Sequence, residues 1–316
     1  MKILFIGFHE EGKYCIPKLY EKGYSVKAIL TLNKKEILKR SGAFDYSNQS
    51  KEYNIPIYKI KHINSNKSKK IISKIKPNII CVIGWGQILS ADILNQADLV
   101  IGAHASLLPK YRGSAPINWS LINGDKITGN SMISLSPVVD SGDILFQTRF
   151  DITKYDSCKS LYEKVALSNY KMLCDVVKKY SDGLLVKKKQ KIKNKKLLPR
   201  RKPDDGKINW NKTSVEIYNF IRALTAPYPG AFSFINGEKI IIQEAALKDE
   251  KNMVNKKRGT IVSLNYSFIP ELCSVDISCS EGKISVYKIL VKNNKILYGN
   301  KLIEFFKLKK KFDNEK

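Results

Sequence analysis

The chain has few histidines, since only His9, His62 and His104 occur in 316 residues. A metal site built from several histidines is therefore disfavoured. Six cysteines are present, but none forms a C-x-x-C pair, so neither a zinc knuckle nor a redox dithiol is indicated. Most of these cysteines have apolar neighbours and are predicted to be buried free thiols. We expect a protein that works without a metal ion.

Long hydrophobic runs are also lacking. No apolar run reaches the roughly 18 residues that a membrane-spanning helix needs. The amino terminus, MKILFIGFHEEG, has a short apolar run followed directly by two glutamates, which is unlike a signal peptide. These features predict a cytoplasmic protein with no membrane partner. The hydrophobic content of 43% supports a real core, and 316 residues are enough for two domains.

Acidic residues are scarce, with 29 against 56 basic ones, so the net charge is +27. Such a charge would suit a nucleic-acid partner, because lysine contacts to phosphates add affinity without reading sequence. The lysines are, however, spread along the whole chain among isoleucines and asparagines, as in a general compositional bias. Whether the positive charge forms a binding site or only a general basic surface, it would attract an anionic nucleotide substrate.

Short apolar runs alternate with segments of helical spacing in the first half of the chain. The runs are Ile3–Ile6, Val26–Leu30, Ile79–Ile83 and Leu99–Ile101, and helices are expected at Tyr14–Lys22 and Ser68–Ile75. Continuous apolar strands joined by helices predict an α/β fold, with a Rossmann-like, doubly wound and mostly parallel sheet. The stretch GFHEEG is not the dinucleotide fingerprint, so a nicotinamide cofactor has no support. A strand at Ile144–Phe150 and a helix over Ser157–Lys179 follow.

The composition changes after this helix. We predict a catalytic domain over residues 1–186 and a basic linker over 187–205, where the lysine run KKKQKIKNKKLLPRRK cannot bury an apolar face. A smaller domain is predicted over residues 206–308. It begins with a helix that Thr213 and Glu216 cap, and short β-rich runs follow as in a small β-barrel. Residues 309–316 are expected to be a charged, frayed tail.

Two motifs carry the chemistry. HASLLPKYRGSAPINW begins at His104, and SPVVDSGDILFQ contains Asp140. Each residue lies at the end of an apparent strand, among proline and glycine turns. A histidine beside a carboxylate becomes more basic and can handle a proton.

These residues resemble the formyltransferase family, which includes methionyl-tRNA formyltransferase, glycinamide ribonucleotide formyltransferase and the sugar-nucleotide N-formyltransferases. His104–Gly113 and Asp140–Ile144 fit the family signature almost letter for letter. The blocks RRKPDDGKINW (200–210) and IYNFIRALTAPYPGAF (217–232) are most similar to the enzyme that formylates UDP-aminoarabinose. The resemblance fades after about Ala246. It implies an open, OB-like barrel in the smaller domain and 10-formyltetrahydrofolate as cosubstrate.

The resemblance also implies roles for individual residues. His104 handles the proton of the attacking amine, and Asp140 holds the imidazole in position. Gly102 stands where the family has an asparagine, so the side-chain amide that donates to the oxyanion is missing. A backbone amide, a water molecule, or the side-chain amide of Gln87 or Asn118 could replace it.

Two segments are expected to bind the folate, and four residues to bind the acceptor. The folate residues are Trp85, Gly86, Gln87 and Ile88 on one side and Ser136, Pro137, Val138 and Val139 on the other. The acceptor residues are Tyr111, Arg112, Arg200 and Arg201, with Asp204 and Asp205 beside them.

The function implied is transfer of a formyl group from 10-formyltetrahydrofolate to the primary amine of a nucleotide-linked amino sugar. The alternative acceptor is methionyl-tRNA. The tRNA enzyme usually carries a basic insertion after the second strand, and the segment here, TLNKKEILKRSGAFDYSNQSKEYNIPIY, is short and moderately basic. Two further hypotheses are a formyltetrahydrofolate hydrolase and, because of Gly102, a binding protein with impaired catalysis.

Overall fold

The computed structural model describes residues 1–193, 196–248, 257–309 and 311–313. The chain divides into two compact units. The first contains residues 1–117, 126–153 and 160–200, and the second contains residues 118–125, 154–159 and the described residues from Arg201 onward. The division between residues 200 and 201 falls inside the segment predicted to connect two domains.

Residues 1–181 form seven strands and seven α-helices. In chain order these are β1 (Ile3–Ile6), α1 (Cys15–Glu21), β2 (Val26–Leu32), α2 (Lys34–Ile37), α3 (Ser47–Glu52), β3 (Ile57–Ile60), α4 (Asn66–Ile75), β4 (Ile79–Val82), α5 (Ala91–Leu94), β5 (Leu99–His104), α6 (Pro116–Ile122), β6 (Ile127–Ser134), β7 (Ile144–Asp151) and α7 (Cys158–Ser181).

The strands of the first unit form one sheet in the order β3-β2-β1-β4-β5-β6-β7. Strands β1 to β5 pair in parallel, whereas β6 pairs antiparallel with β5 and β7 pairs antiparallel with β6. The predicted doubly wound, mostly parallel sheet is therefore confirmed. Because the chain order reverses between β1 and β4, the carboxyl ends of these central strands flank a crevice of the kind in which such sheets bind ligands.

Alternate residues of β1 explain why both faces of the sheet are covered. Ile3 and Phe5 pack in one apolar cluster with residues of α1 and α7, such as Leu19 and Leu173. Leu4 and Ile6 belong to the cluster on the other face, which includes Ile72 of α4 and Ile93 of α5. Successive side chains of a strand point to opposite faces, and each large apolar side chain contributes about 1.5–3 kcal/mol when buried.

The described residues from Arg201 onward form an antiparallel sheet and two α-helices. These elements are α8 (Ser214–Leu224), β8 (Ala231–Ile235), β9 (Glu238–Leu247), β10 (Ile261–Asn265), β11 (Ser274–Ser278), β12 (Lys283–Val291), β13 (Lys295–Tyr298) and α9 (Asn300–Lys307). The strand order is β10-β11-β12-β9-β8, with β13 also paired to β12. The predicted capping box is present, since Thr213 Oγ1 accepts from Glu216 N at 3.2 Å and Glu216 Oε2 accepts from Thr213 N at 2.9 Å.

The carboxyl terminus differs from the expected frayed tail as far as residue 313. Phe312 is buried against Trp210, with 5.0 Å between ring centroids. The Asp313 carboxylate accepts from the backbone N–H groups of Asn236 and Gly237 in the β8–β9 turn. Charge alone suggested fraying, but the packing of Phe312 and the hydrogen bonds of Asp313 hold these two residues within the second unit. Residues 310 and 314–316 lie outside the described residues.

The six cysteines are free, and all except the partly exposed Cys174 are buried, as predicted. Within the described part of the chain, no helix combines the length and apolarity required to cross a bilayer.

Candidate active site

His104 is the last residue of β5, beside the central crevice of the first sheet. Its side chain is 8% exposed. Nε2 lies 2.8 Å from the carbonyl oxygen of Tyr111, and Nδ1 lies 3.5 Å from Oδ2 of Asp140. Because a carbonyl can only accept, Nε2 carries a hydrogen. Nδ1 is therefore the atom that can take up a proton, and a proton there would face the carboxylate.

Ser131 of β6 holds the loop that follows His104. This serine is paired with His104 in the sheet register. Its hydroxyl donates to the carbonyl of Ser106 at 2.6 Å and accepts from the backbone N–H of Leu108 at 3.0 Å. Gln147 of β7 adds a bond from its amide to the Leu108 carbonyl at 2.8 Å. The antiparallel strands thus fix the loop that returns Tyr111 to the imidazole.

Asp140 adopts an unusual backbone conformation. Its φ is +50°, a left-handed value that is uncommon for residues other than glycine. Oδ2, the oxygen nearest His104, also accepts from the backbone N–H of Gly113 at 2.8 Å. Gly113 itself has φ +109°, and a Cβ there would lie 2.6 Å from backbone atoms of Leu198. Only glycine can therefore bring this N–H to the carboxylate.

Arg112 does not extend into open space as an acceptor-binding arginine would. It is 6% exposed, and its Nε and Nη2 donate to the carbonyl of Val139 at 3.2 and 2.6 Å. These bonds tie the loop of His104 to the residue directly before Asp140. Tyr111 supplies its carbonyl to the imidazole from a left-handed conformation, with φ +59°. The structure thus brings together His104, Asp140, Tyr111 and Arg112.

At Gly102, where the family asparagine was expected, the neighbouring space is filled. A Cβ built on Gly102 would lie 2.3 Å from Cδ2 of Leu135 and 2.8 Å from its Cγ. An asparagine in this position would need Leu135 to move. The sequence showed the missing amide, but only the fold shows that a leucine occupies its place.

The two side-chain amides considered as replacements are bonded elsewhere. Gln87 donates to the carbonyl of Lys61 at 3.0 Å and accepts from Ile63 N at 2.8 Å. Asn118 lies in the second unit and donates to the carbonyl of Ala223 at 2.6 Å. Both amide groups thus already donate to backbone carbonyls.

The predicted folate segments follow β4 and β6. Trp85 is half-buried, packs on the same apolar cluster as Leu135, and has a buried indole N–H without a partner. Ile88 and Val138 are exposed by 63% and 61%. Ser136 bonds to the hydroxyl of Ser141 at 2.9 Å within its own loop. Exposed apolar side chains and an unused N–H donor are features that a flat heteroaromatic ligand could use.

The predicted arginine pair is divided between the two units. Arg200 is exposed in the first unit, and Arg201 belongs to the second. The guanidinium of Arg201 lies over the rings of Trp119 and Phe220, 5.2 and 5.5 Å from their centroids. It also donates to the carbonyl of Asp205 at 2.6 Å. Arg201 therefore already has aromatic and backbone partners within its unit.

A second titratable pair lies in the turn after β1, near Gly84. Burial lowers the pKa of His9 to about 4, and its Nδ1 accepts from Glu11 N at 3.3 Å. Burial of the Glu11 carboxyl, with help from the Glu10 charge, raises the pKa of Glu11 to about 7. The Glu11 carboxylate lies 3.5 Å from where a Cβ of Gly84 would be. Sequence analysis did not identify this pair, because burial cannot be read from a single HEEG motif.

The pKa shifts of His9 and Glu11 predict how the unfolding free energy depends on pH. The raised pKa of Glu11 makes the folded state lose about 3 kcal/mol of stability as pH rises from 4.5 to 7. The lowered pKa of His9 has the opposite effect, with a similar loss as pH falls from 6.5 to 4. In a Glu11→Gln variant only the histidine contribution remains. Its unfolding free energy, measured in urea, should therefore rise by about 3 kcal/mol between pH 4 and 6.5.

The exposed Glu52 provides the control substitution, since Glu52→Gln removes the same charge from a position that is not buried. If the Glu11→Gln curve runs parallel to that of the unsubstituted protein, the carboxyl of Glu11 does not titrate as described.

Sequence analysis also missed the contacts of the connecting segment. Lys188 forms a bridge with Ile144 at the start of β7, and Leu198 forms one with Gly113. Between them, the amide of Gln190 donates to the carbonyls of Asp140 and Gly142 at 3.0 and 2.7 Å. A lysine run has no periodicity that would predict such pairing.

Two family models match the chain. The formyl transferase model matches residues 1–177, and the model of the formyl transferase C-terminal domain matches residues 200–307. His104 and Asp140 lie within the first match, and the antiparallel sheet lies almost wholly within the second.

The chain is similar to several named proteins over most of its length. The chain is 35% identical to the bifunctional polymyxin resistance protein ArnA of Wigglesworthia glossinidia brevipalpis over 84% of its own length, and it spans 40% of that protein. It is 30% identical to the methionyl-tRNA formyltransferase of Ruminiclostridium cellulolyticum, covering 96% of this chain and 99% of that one. The N-formyltransferase of Helicobacter canadensis, solved with folinic acid and dTDP-3-aminofucose, has a TM-score of 0.65 at 19% identity, covering 90% and 98%.

Proposed function

Because this chain belongs to the formyl transferase family, we propose that it moves a formyl group from 10-formyltetrahydrofolate to the primary amine of a nucleotide-linked amino sugar. The observation that carries the proposal is the His104–Asp140 pair, with 3.5 Å between Nδ1 and Oδ2 beside the central crevice. A buried imidazole that faces a carboxylate is suited to move a proton in acyl transfer.

The proton has a defined route in this geometry. When the amine nitrogen bonds to the formyl carbon, it must lose a proton. Nδ1 of His104 receives that proton, since Nε2 already donates to the Tyr111 carbonyl. Asp140 then stabilises the imidazolium. The same proton is returned to the leaving nitrogen of the folate as the bond between that nitrogen and the formyl carbon breaks.

The amino-sugar acceptor is supported by sequence similarity to ArnA and by the blocks at 200–210 and 217–232. The net charge of +27 would attract a nucleotide diphosphate. The folate is supported by the exposed Ile88 and Val138, which lie on the two segments predicted to bind it.

Methionyl-tRNA is the second candidate acceptor. It is supported by the similarity to the Ruminiclostridium enzyme, which extends over nearly the whole length of both chains. The high positive charge fits this acceptor as well.

An assay with each acceptor in turn distinguishes the two candidate functions. The protein is incubated with 10-formyltetrahydrofolate and either UDP- or dTDP-linked 4-amino sugars or charged initiator tRNA, and mass spectrometry identifies which product gains a formyl group. We expect the sugar nucleotide to be formylated, with a rate that falls less steeply between 50 and 200 mM salt than a reaction with tRNA would. A tRNA reaction would instead weaken steeply with salt, because binding releases counterions from many phosphates. Formylation of tRNA alone would refute the sugar assignment, and formate release without any acceptor would indicate a hydrolase.

A further inference from the structure

The described residues of the connecting segment (187–193 and 196–200) contact two loops of the first unit, the loop that contains Asp140 and the loop that follows His104. At one end, Lys188 exchanges two backbone hydrogen bonds with Ile144, at 2.8 and 2.9 Å. At the other end, Leu198 donates to the carbonyl of Arg112 at 2.7 Å and accepts from Ser114 N at 3.0 Å. One stretch of chain therefore joins the loop of Asp140 to the loop that follows His104.

Gln190 is the side chain by which this segment reaches the Asp140 loop. Its Nε2 donates to the carbonyl of Asp140 at 3.0 Å and to that of Gly142 at 2.7 Å. Both acceptors are backbone carbonyls, so these bonds restrain the backbone conformation of the loop. Its Oε1 is buried and has no partner among the residues that the structure describes, so the two donations from Nε2 are the bonds that place this amide.

The loop needs such a restraint. Asp140 has φ +50°, which a non-glycine residue adopts at an energetic cost. Two residues on, a Cβ at Gly142 would lie 1.7 Å from the carbonyl oxygen of Ser134, so the loop turns in close contact with β6. The direction of the Asp140 carboxylate toward His104 follows from this backbone conformation.

We propose that Gln190 is a positioning residue for formyl transfer, which holds the backbone of Asp140 so that its carboxylate faces Nδ1 of His104. The inference rests on the proposed function. It extends the catalytic arrangement beyond the two sequence motifs to a residue in the lysine-rich connection. Gln190 does not touch the reacting atoms, and its effect passes through Asp140.

The test substitutes methionine, which keeps the length of the side chain and removes the donor. In Gln190→Met we expect kcat for formyl transfer to fall roughly ten- to a hundredfold, because a small misplacement of a catalytic group is costly. The fall in kcat should exceed any rise in the KM values for the folate and the acceptor, because Gln190 is not itself one of the proposed binding residues. The melting temperature should stay within about 4 °C. Lys189→Met is the matched control, because Lys189 is the exposed neighbour in the same segment.

A double-mutant cycle distinguishes positioning from a general structural role. If Gln190 acts through Asp140, adding Gln190→Met to an Asp140→Asn variant should lower kcat no further. Losses that multiply would show that the two residues act independently and would overturn the proposal. An equal loss of kcat in Lys189→Met would overturn it as well.

Crystal structures of the unsubstituted protein and of Gln190→Met provide a readout that does not depend on the acceptor. We expect the distance between Nδ1 of His104 and Oδ2 of Asp140 to lengthen in the variant. An unchanged distance refutes the positioning role even if formyl transfer is confirmed. A lengthened distance supports it even if no acceptor is formylated, and in that case only the proposed function fails.

Discussion

Replacing His104 with alanine is expected to lower the rate of formyl transfer by about a hundred- to ten-thousandfold. The imidazole is the group beside the crevice whose Nδ1 faces a carboxylate, so its loss leaves the proton of the attacking amine without an acceptor. Binding of the folate should change little, because the predicted folate segments follow β4 and β6 and do not depend on this ring. Steady-state kinetics with the formylated acceptor, read by mass spectrometry, measure the effect.

His62 is the control for this substitution. It is exposed, and its Nδ1 accepts a local hydrogen bond from Asn64 N at 3.2 Å. His62→Ala should therefore retain full activity. Retention of the unsubstituted rate in His104→Ala, with a normal circular dichroism spectrum, would remove His104 from the mechanism.

Replacing Asp276 with alanine is expected to destabilise the second unit by about 3–5 kcal/mol. Asp276 of β11 is fully buried, and Lys248 and Lys283 approach its Oδ2 at 3.0 and 3.3 Å. Ser263 also donates to Oδ2, while Asn265 and Ser285 donate to Oδ1. Removing the carboxylate leaves these groups without their common acceptor. Urea denaturation followed by circular dichroism measures the loss.

The ionised state of Asp276 has a consequence for pH. Burial acts to raise the pKa of this carboxyl, but hydrogen bonds from Ser285, Lys248 and Ser263 outweigh it, so the pKa lies below its ordinary value of 3.8. A lowered folded-state pKa means that the stabilisation is complete above pH 3.8 and is lost as pH falls through the folded value.

An ion pair in the same sheet serves as control. Lys288 and Glu244 face each other across β12 and β9 with 3.0 Å between Nζ and Oε2, but their side chains are 38% and 59% exposed. Glu244→Ala should cost no more than about 1 kcal/mol, because water screens an exposed pair. Equal effects of the two substitutions would mean that the burial of Asp276 does not strengthen its contacts.

Much of the first unit could be predicted from local patterns. Ile3–Ile6 is a strand with the predicted bounds, because four consecutive apolar residues next to a glycine suit a strand buried on both faces. The helix predicted over Ser157–Lys179 runs from Cys158 to Ser181. Thr213 and Glu216 cap their helix as expected, since a capping box involves only residues three apart.

Other features depended on contacts between residues that are distant in sequence. Arg112 was expected to bind an anionic substrate, yet it donates to the carbonyl of Val139. Phe312 was assigned to a frayed tail, yet it packs on Trp210. In both cases the sequence shows which side chain is present, but the group that this side chain contacts depends on the tertiary fold.

The amino-acid sequence by itself determined the mostly parallel sheet of the first unit, the family and the choice of His104 and Asp140 as a pair, because hydrophobic periodicity and short motifs are local properties of the chain. Only the tertiary structure decided how that pair is held. The Gly113 N–H that contacts Asp140, the Leu135 side chain at Gly102 and the Gln190 amide on the Asp140 loop come from separate segments. Such contacts arise when the sheet and its connections bring distant residues within hydrogen-bond or van der Waals distance, and no pattern of neighbouring residues encodes them.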